Sequence, residues 1–261
     1  MYKRQGNLLY SFDNIEEMPL NETQNFSQWN STGWGIYEDI IFDGTTITYD
    51  MAHLENGYNS KVLSTEITGG DAYNNVFFTN TVALRWEEQE WYFEEASKFS
   101  YSLDFMPKTT IDCVEHNQSE IEGLEFTFQY VDIPYSWGWG IQWSKSNIWS
   151  FWNDERFEGN IIGWENIPQI YDCINFNTWN SIVISGRRLD NTLVYDFIEI
   201  NELRYPLNQT LNKVNVSEDW FENFIQVGFQ INGNQATRTD HNEGVDPVQV
   251  ILDNLRLEIW D

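Results

Sequence analysis

Three short stretches set amide and carboxylate side chains at every second position. Leu124–Val131 carries Glu125, Thr127 and Gln129. Trp137–Trp143 carries Gln142 in line with Gly138 and Gly140. Phe224–Ile231 carries Gln226, Gly228 and Gln230. In an extended strand, residues two apart project from one face, so each stretch offers a polar side. A primary amide has both donors and an acceptor and can grip neighbouring hydroxyls of a sugar. Glycine between such groups lets a ring approach the backbone. The wet face of an ordinary antiparallel sheet shows the same alternation, so the pattern leaves both readings open.

Tryptophan is the second chemical signal. Trp137, Trp139, Trp143, Trp149, Trp152 and Trp164 fall within 28 residues. Indole stacks on the C–H face of a sugar ring when it is exposed and fills the core when it is not. Trp137, Trp139 and Trp143 share a side with Ile141, which points inward. Trp149, Trp152 and Trp164 adjoin polar turns and are expected to face a ligand, as are Trp29 and Trp34 in a polar loop.

Glycoside hydrolysis requires two carboxyl groups flanking the scissile bond. Glu125 and Asp104 both occupy polar sides of alternating stretches and form the candidate pair. The three histidines, His53, His116 and His241, are scattered.

The elements that would position these groups are strands. Phe99–Met106 alternates with Phe99, Tyr101, Leu103 and Phe105 on one side. Leu8–Phe12, Thr45–Tyr49, Lys61–Thr68, Asn75–Phe78, Ile148–Trp152, Trp179–Ser185, Leu193–Ile200 and Val248–Trp260 read likewise,. Residues 86–98 are the best helix candidate, and residues 19–34 form a polar loop. Ten or more strands with no helix–strand alternation predict an all-β chain, a two-sheet antiparallel β-sandwich over residues 1–261 as one domain.

The chain has 261 residues, 41% hydrophobic and 16% aromatic, and a formal charge of −27. Such a surface repels phosphates and anionic lipid, which excludes nucleic acid as a partner. No apolar run is long enough for a membrane-spanning helix. Cys113 and Cys173 have no His cluster around them and do not suggest zinc. Joined, they would close a loop of about 60 residues, worth roughly 4 kcal/mol in the chain-entropy account; two buried free thiols are the alternative. Six glycosylation sequons occur, at Asn21, Asn25, Asn30, Asn117, Asn208 and Asn215. Met1–Gln5 does not read as a signal peptide, so export is expected from the cysteines and sequons.

Several stretches together resemble the concanavalin A-like lectin and glucanase jelly rolls and related carbohydrate-binding modules. They are Leu8–Asp13, then Asn56-Gly57-Tyr58-Asn59-Ser60-Lys61-Val62, then Trp179–Ile184, Ile198–Leu203 and the closing Ile251-Leu252-Asp253-Asn254-Leu255-Arg256-Leu257. The resemblance implies a jelly roll and a structural calcium ion where the first and last strands meet, with Asp13 and Asp253 at the matching positions. Asp240, Glu243 and Asp246 make a second acidic loop. The tight Glu-x-Asp-x-x-Glu run of hydrolases on this fold is missing; residues 120–125 read Glu-Ile-Glu-Gly-Leu-Glu. The leading expectation is a non-catalytic, lectin-like domain outside the cell that binds a glycan or polysaccharide. A self-associating subunit of a filament, sheath or surface layer, and a hydrolase using Glu125, are the alternatives.

Overall fold

Wherever apolar and polar residues alternate, the chain is extended, because only a strand puts every second side chain into a common core. The computed structural model describes residues 8–20, 33–39, 47–56, 60–69, 74–84, 97–108, 121–132, 135–157, 160–170, 173–189, 192–212, 214–215, 223–233 and 247–261. Its strands are β1 (Leu8–Asp13), β2 (Gly33–Asp39), β3 (Ile47–Asn56), β4 (Ser60–Gly69), β5 (Asn74–Leu84), β6 (Lys98–Lys108), β7 (Ile121–Asp132) and β8 (Tyr135–Ser144). They continue with β9 (Ile148–Phe157), β10 (Asn160–Asn166), β11 (Asn180–Leu189), β12 (Thr192–Ile200), β13 (Leu203–Asn212), β14 (Val214–Asn215), β15 (Phe224–Gly233) and β16 (Val248–Trp260).

These strands make two eight-stranded antiparallel sheets. Sheet one runs β13-β12-β11-β6-β16-β4-β3, with β1 also on β16. Sheet two runs β10-β9-β8-β7-β15-β5-β2, with β14 on β8. The chain changes sheet between β1 and β2, β2 and β3, β4 and β5, β5 and β6, β6 and β7, β10 and β11, β13 and β14, and β15 and β16, the repeated crossing of a jelly roll,. The expected two-sheet sandwich is therefore what forms.

The core lies between the sheets. Phe99, Tyr101, Leu103 and Phe105 of β6 face Leu124, Phe126, Phe128 and Tyr130 of β7, all buried. Ring centroids of Phe105 and Phe126 are 4.9 Å apart, and those of Phe99 and Phe128 are 5.1 Å apart. Each fully buried ring contributes roughly 2 kcal/mol by removal from water. Trp137, Trp139 and Trp143 join this core as their alternation with Ile141 implies.

The N-terminal segment closes one end. A 3-10 turn at Ile15–Glu17 buries Ile15 and Glu16. Trp34, expected to face a ligand, is fully buried here instead. Its indole N–H donates to the Ile15 carbonyl at 2.9 Å and its backbone N–H to the Pro19 carbonyl at 2.8 Å. Trp34 is thus a clasp between the turn and sheet two; its mate Trp29 lies outside the described residues.

Two further expectations meet the structure only in part, and one strand was not expected. Residues 86–96 of the helix candidate lie outside the described residues, and Lys98 begins β6. Cys173 is a free, half-buried thiol; Cys113 lies outside the described residues, and the bridge is no part of what is described. Strand β13, which the alternation does not announce, takes the edge of sheet one. Its Pro206 is tolerated there because an edge strand need not donate on both sides.

Candidate functional site

The register of the central strands of sheet two sorts the polar positions into three rows. Gln226, Gln129 and Gly138 lie side by side across β15, β7 and β8. Gly228, Thr127 and Gly140 form the next row, and Gln230, Glu125 and Gln142 the third. Strand spacing makes each row about 10 Å long. The middle row is small, so it reads as a trough between two rows of longer polar side chains on the outer face.

Aromatic rings close both ends of the trough. A Cβ built on Gly228 would sit 2.5 Å from Cζ of Phe77 and 2.6 Å from Oγ1 of Thr127, so the Phe77 ring from β5 rests directly on this glycine. At the other end, a Cβ on Gly140 would lie 3.2 Å from Cβ of Trp152 and 3.3 Å from Cη2 of Trp164. Trp152 and Trp164 are cross-strand partners on β9 and β10. Their centroids are 5.2 Å apart with an edge-to-face angle of 67°, a favoured geometry for such pairs. Together these residues line an open groove of ≈ 450 Å³.

Glu125 is the hub of the third row. Its Oε1 accepts from Gln142 Nε2 at 2.8 Å, Gln230 Nε2 at 3.0 Å and Asn232 Nδ2 at 3.0 Å. Three donors converging on one oxygen pre-set the row. In the first row, Gln129 Nε2 donates to Ser136 Oγ at 3.3 Å. Among the described residues, two groove atoms are buried with no hydrogen-bond partner: Gln226 Nε2, a donor, and Asn75 Oδ1, an acceptor. Buried polar atoms left this way are rare and call for an explanation.

The structure thus brings together Glu125, Thr127, Gln129, Gln142, Gln226, Gln230, Trp152 and Trp164. It does not bring Trp149, which is fully buried opposite Trp143. The sequence sets Trp149 at the same parity as Phe151 and so on the core side of β9; its neighbouring turn was the misleading cue. Asp104 is also corrected. It lies on the outer side of β6 in sheet one, with the core between it and Glu125. There it accepts from Asn254 Nδ2 at 2.7 Å. Burial raises its carboxyl above the usual range, Asn254 opposes that rise, and nearby Asp253 adds to it. No Glu125–Asp104 pair exists.

The expected calcium ligands, Asp13 and Asp253, each have a partner within the chain. β1 and β16 do pair, but Asp13 Oδ1 binds Arg256 Nε at 2.7 Å and Asp253 Oδ1 accepts the Asn254 backbone N–H at 2.9 Å. Among the described residues no group of three or more His, Cys, Asp or Glu is arranged to hold a metal. Glu16 is the buried carboxyl of this seam. Its Oε2 accepts from Leu255 N at 2.9 Å. Burial pushes it up to about 7, the backbone N–H groups of Glu16 and Leu255 oppose the rise, and Asp253 and Glu17 add to it.

Of the sequons, Asn21, Asn25, Asn30 and Asn117 lie outside the described residues, as do Asp240, Glu243 and Asp246. Asn208 is exposed on β13 and Asn215 lies on β14. The sequence reading missed Phe77, Asn75 and Asn232. Phe77 precedes a core phenylalanine, and only the register shows that it turns outward onto Gly228. No helix among the described residues is long and apolar enough to cross a membrane.

No family model and no curated protein matches the chain. Solved structures do resemble it. An endo-β-1,4-glucuronan lyase from the fungus Trichoderma reesei is 11% identical, with 85% of this chain and 94% of that one covered, at a TM-score of 0.46. Lectin I from Ulex europaeus, solved with the methyl glycoside of α-L-fucose, is 10% identical over 87% and 98% at 0.42. A Bacillus licheniformis β-glucanase is 10% identical over 96% and 98% at 0.40. The two-sheet jelly roll stands on the strand order given above, and these likenesses add nothing about activity.

Proposed function

We propose that this chain is a non-catalytic carbohydrate-binding protein acting outside the cell, and that it holds a neutral, linear glycan in the groove on sheet two. The observation that carries the reading is the trough of Gly228, Thr127 and Gly140, flanked by amide rows and closed by Phe77 and the Trp152–Trp164 pair. Aromatic faces suit the C–H faces of sugar rings. The unpartnered Gln226 Nε2 needs an acceptor and Asn75 Oδ1 needs a donor; a sugar hydroxyl is both.

Binding is favoured over turnover by the groove's acid–base content. Among the described residues lining it, Glu125 is the one ionisable side chain, and its Oε1 already serves three amides. Hydrolysis would call for a second carboxyl group. A neutral ligand is favoured because those residues include no Lys, Arg or His to meet an acidic sugar, and the chain's charge is −27. Exposed Asn208 in its sequon agrees with export and glycosylation.

A glycan array carrying neutral and uronate-rich linear oligosaccharides tests the proposal. Signals on neutral glycans, absent on polyuronates, are expected. An array with no neutral signal above background overturns the reading. Release of reducing ends that is lost in Glu125→Gln would replace it with the hydrolase.

A further inference from the structure

The ladder between β8 and β9 runs from Ser144 opposite Ile148 to Ile141 opposite Phe151 and then stops. The next pair would be Gly140 and Trp152. At this point a side chain from the other sheet enters. Tyr195 of β12, fully buried, packs its ring 5.4 Å from Phe151 and carries its hydroxyl between the two strands. The Gly140 N–H donates to that hydroxyl at 2.8 Å, and the hydroxyl donates to the Trp152 carbonyl at 3.1 Å; the Gly140 carbonyl is 3.3 Å away.

The phenol therefore stands in place of a ladder bond. A direct N–H···O=C contact would hold the strands one bond length apart, near 2.9 Å. Here two legs span the gap, and β9 is held off β8 at the very residue whose indole lies over Gly140. The carbonyl of Trp152 is fixed from the core side; its ring faces the groove. Trp164 follows, because it pairs with Trp152 across β9 and β10.

We propose that the Tyr195 hydroxyl is a positioning residue for the groove: by keeping β8 and β9 apart at Gly140 and Trp152, it sets the place of the Trp152–Trp164 pair from the opposite sheet. Its effect on ligand affinity rests on the glycan reading; its effect on the tryptophan pair does not. A ligand in the groove never touches Tyr195, yet the aromatic end of its site is adjusted through it.

The test is Tyr195→Phe, which keeps the ring and deletes the hydroxyl. The first readout is the far-ultraviolet exciton couplet of the indole pair, assigned as the signal lost in Trp164→Phe. The second is affinity for the strongest neutral oligosaccharide of the array. In Tyr195→Phe the couplet falls by half or more and affinity falls tenfold or more. Phe151→Leu disturbs the same ring packing with the hydroxyl retained, and its couplet stays within a fifth of wild type. An unchanged couplet in Tyr195→Phe overturns the proposal, as does an equal loss in Phe151→Leu, which would mark generic core damage. Should Tyr195→Phe fail to fold, the proposal is overturned in favour of a purely structural role. Where no neutral glycan binds wild type, the glycan reading fails and the couplet alone decides the role of Tyr195.

Discussion

The two outer faces of the sandwich have the same strand count and opposite chemistry. Sheet one carries ion pairs that satisfy each other in water: Arg187 with Asp196 at 2.6 Å, Arg204 with Glu199 at 2.8 Å, and Arg256 with Asp13 and Glu258, each at 2.7 Å. Sheet two carries amides around one carboxylate, glycines, and three aromatic rings with space between them. Exposed ion pairs are screened and nearly self-sufficient. The groove amides beside aromatic rings are not, since among the described residues Gln226 Nε2 and Asn75 Oδ1 have no partner,. The proposed ligand-binding face is distinguished by unmet polar demand next to apolar surface, and charge density is a poor guide to it.

Changes on the groove face should have the largest effects on binding. Replacing Trp152 and Trp164 together with Ala should weaken neutral-glycan binding by about 3 kcal/mol, on the order of 100-fold, if the pair is the anchor of the site. Titration calorimetry measures this, and affinity retained within threefold would place the ligand elsewhere. Next comes Glu125→Ala, which strands the amide donors of Gln142, Gln230 and Asn232 and should cost about 2 kcal/mol of stability. Denaturant unfolding checks it, with Glu125→Gln, which keeps an acceptor, losing less than half as much.

The sheet-one seam should carry a pH dependence of stability. The Glu16 carboxyl rests at about 7 in the fold against an ordinary 4.5. The native state thus holds this proton more tightly than the unfolded chain. The stabilisation is complete below pH 4.5 and fades as pH rises to about 7. Its size is on the order of 3 kcal/mol, about 1.4 kcal/mol for each pH unit between 4.5 and about 7,. In Glu16→Gln the stability difference between pH 4.5 and 7.5 should shrink by that amount, with glycan affinity unchanged. An identical pH profile in wild type and variant would contradict this. The smallest effect is expected for Glu199→Ala, below about 0.5 kcal/mol by thermal unfolding, because the Arg204 pair is exposed,.

Much of the groove was legible in the sequence because parity alone reports which residues of a strand share a face. Glu125, Thr127 and Gln129, with Gln142, Gln226 and Gln230, needed only the alternation of Phe126, Ile141 and Phe229. What parity cannot give is register. The alignment of Gly228, Thr127 and Gly140 in one row, and the placing of Phe77 on Gly228, depend on how strands slide past each other. Trp149 and Trp34 were misread because turn proximity was given more weight than parity in the first case and loop composition more than burial in the second. Asp104 had the right parity on the wrong sheet, since alternation does not say to which sheet a strand belongs. Tyr195 gave no signal at all; in sequence it is one more inward aromatic, and its role arises from the gap between β8 and β9.

The central claim is that the glycan lies on sheet two between Phe77 and the Trp152–Trp164 pair. Its most direct test is to follow side-chain amide and indole N–H resonances while wild type is titrated with a neutral oligosaccharide. Shifts should concentrate on Trp152, Trp164, Gln226 and Gln230, with Trp149, Trp34 and the sheet-one Gln249 unmoved. Shifts centred on sheet one, or none at any concentration reached, would contradict the account.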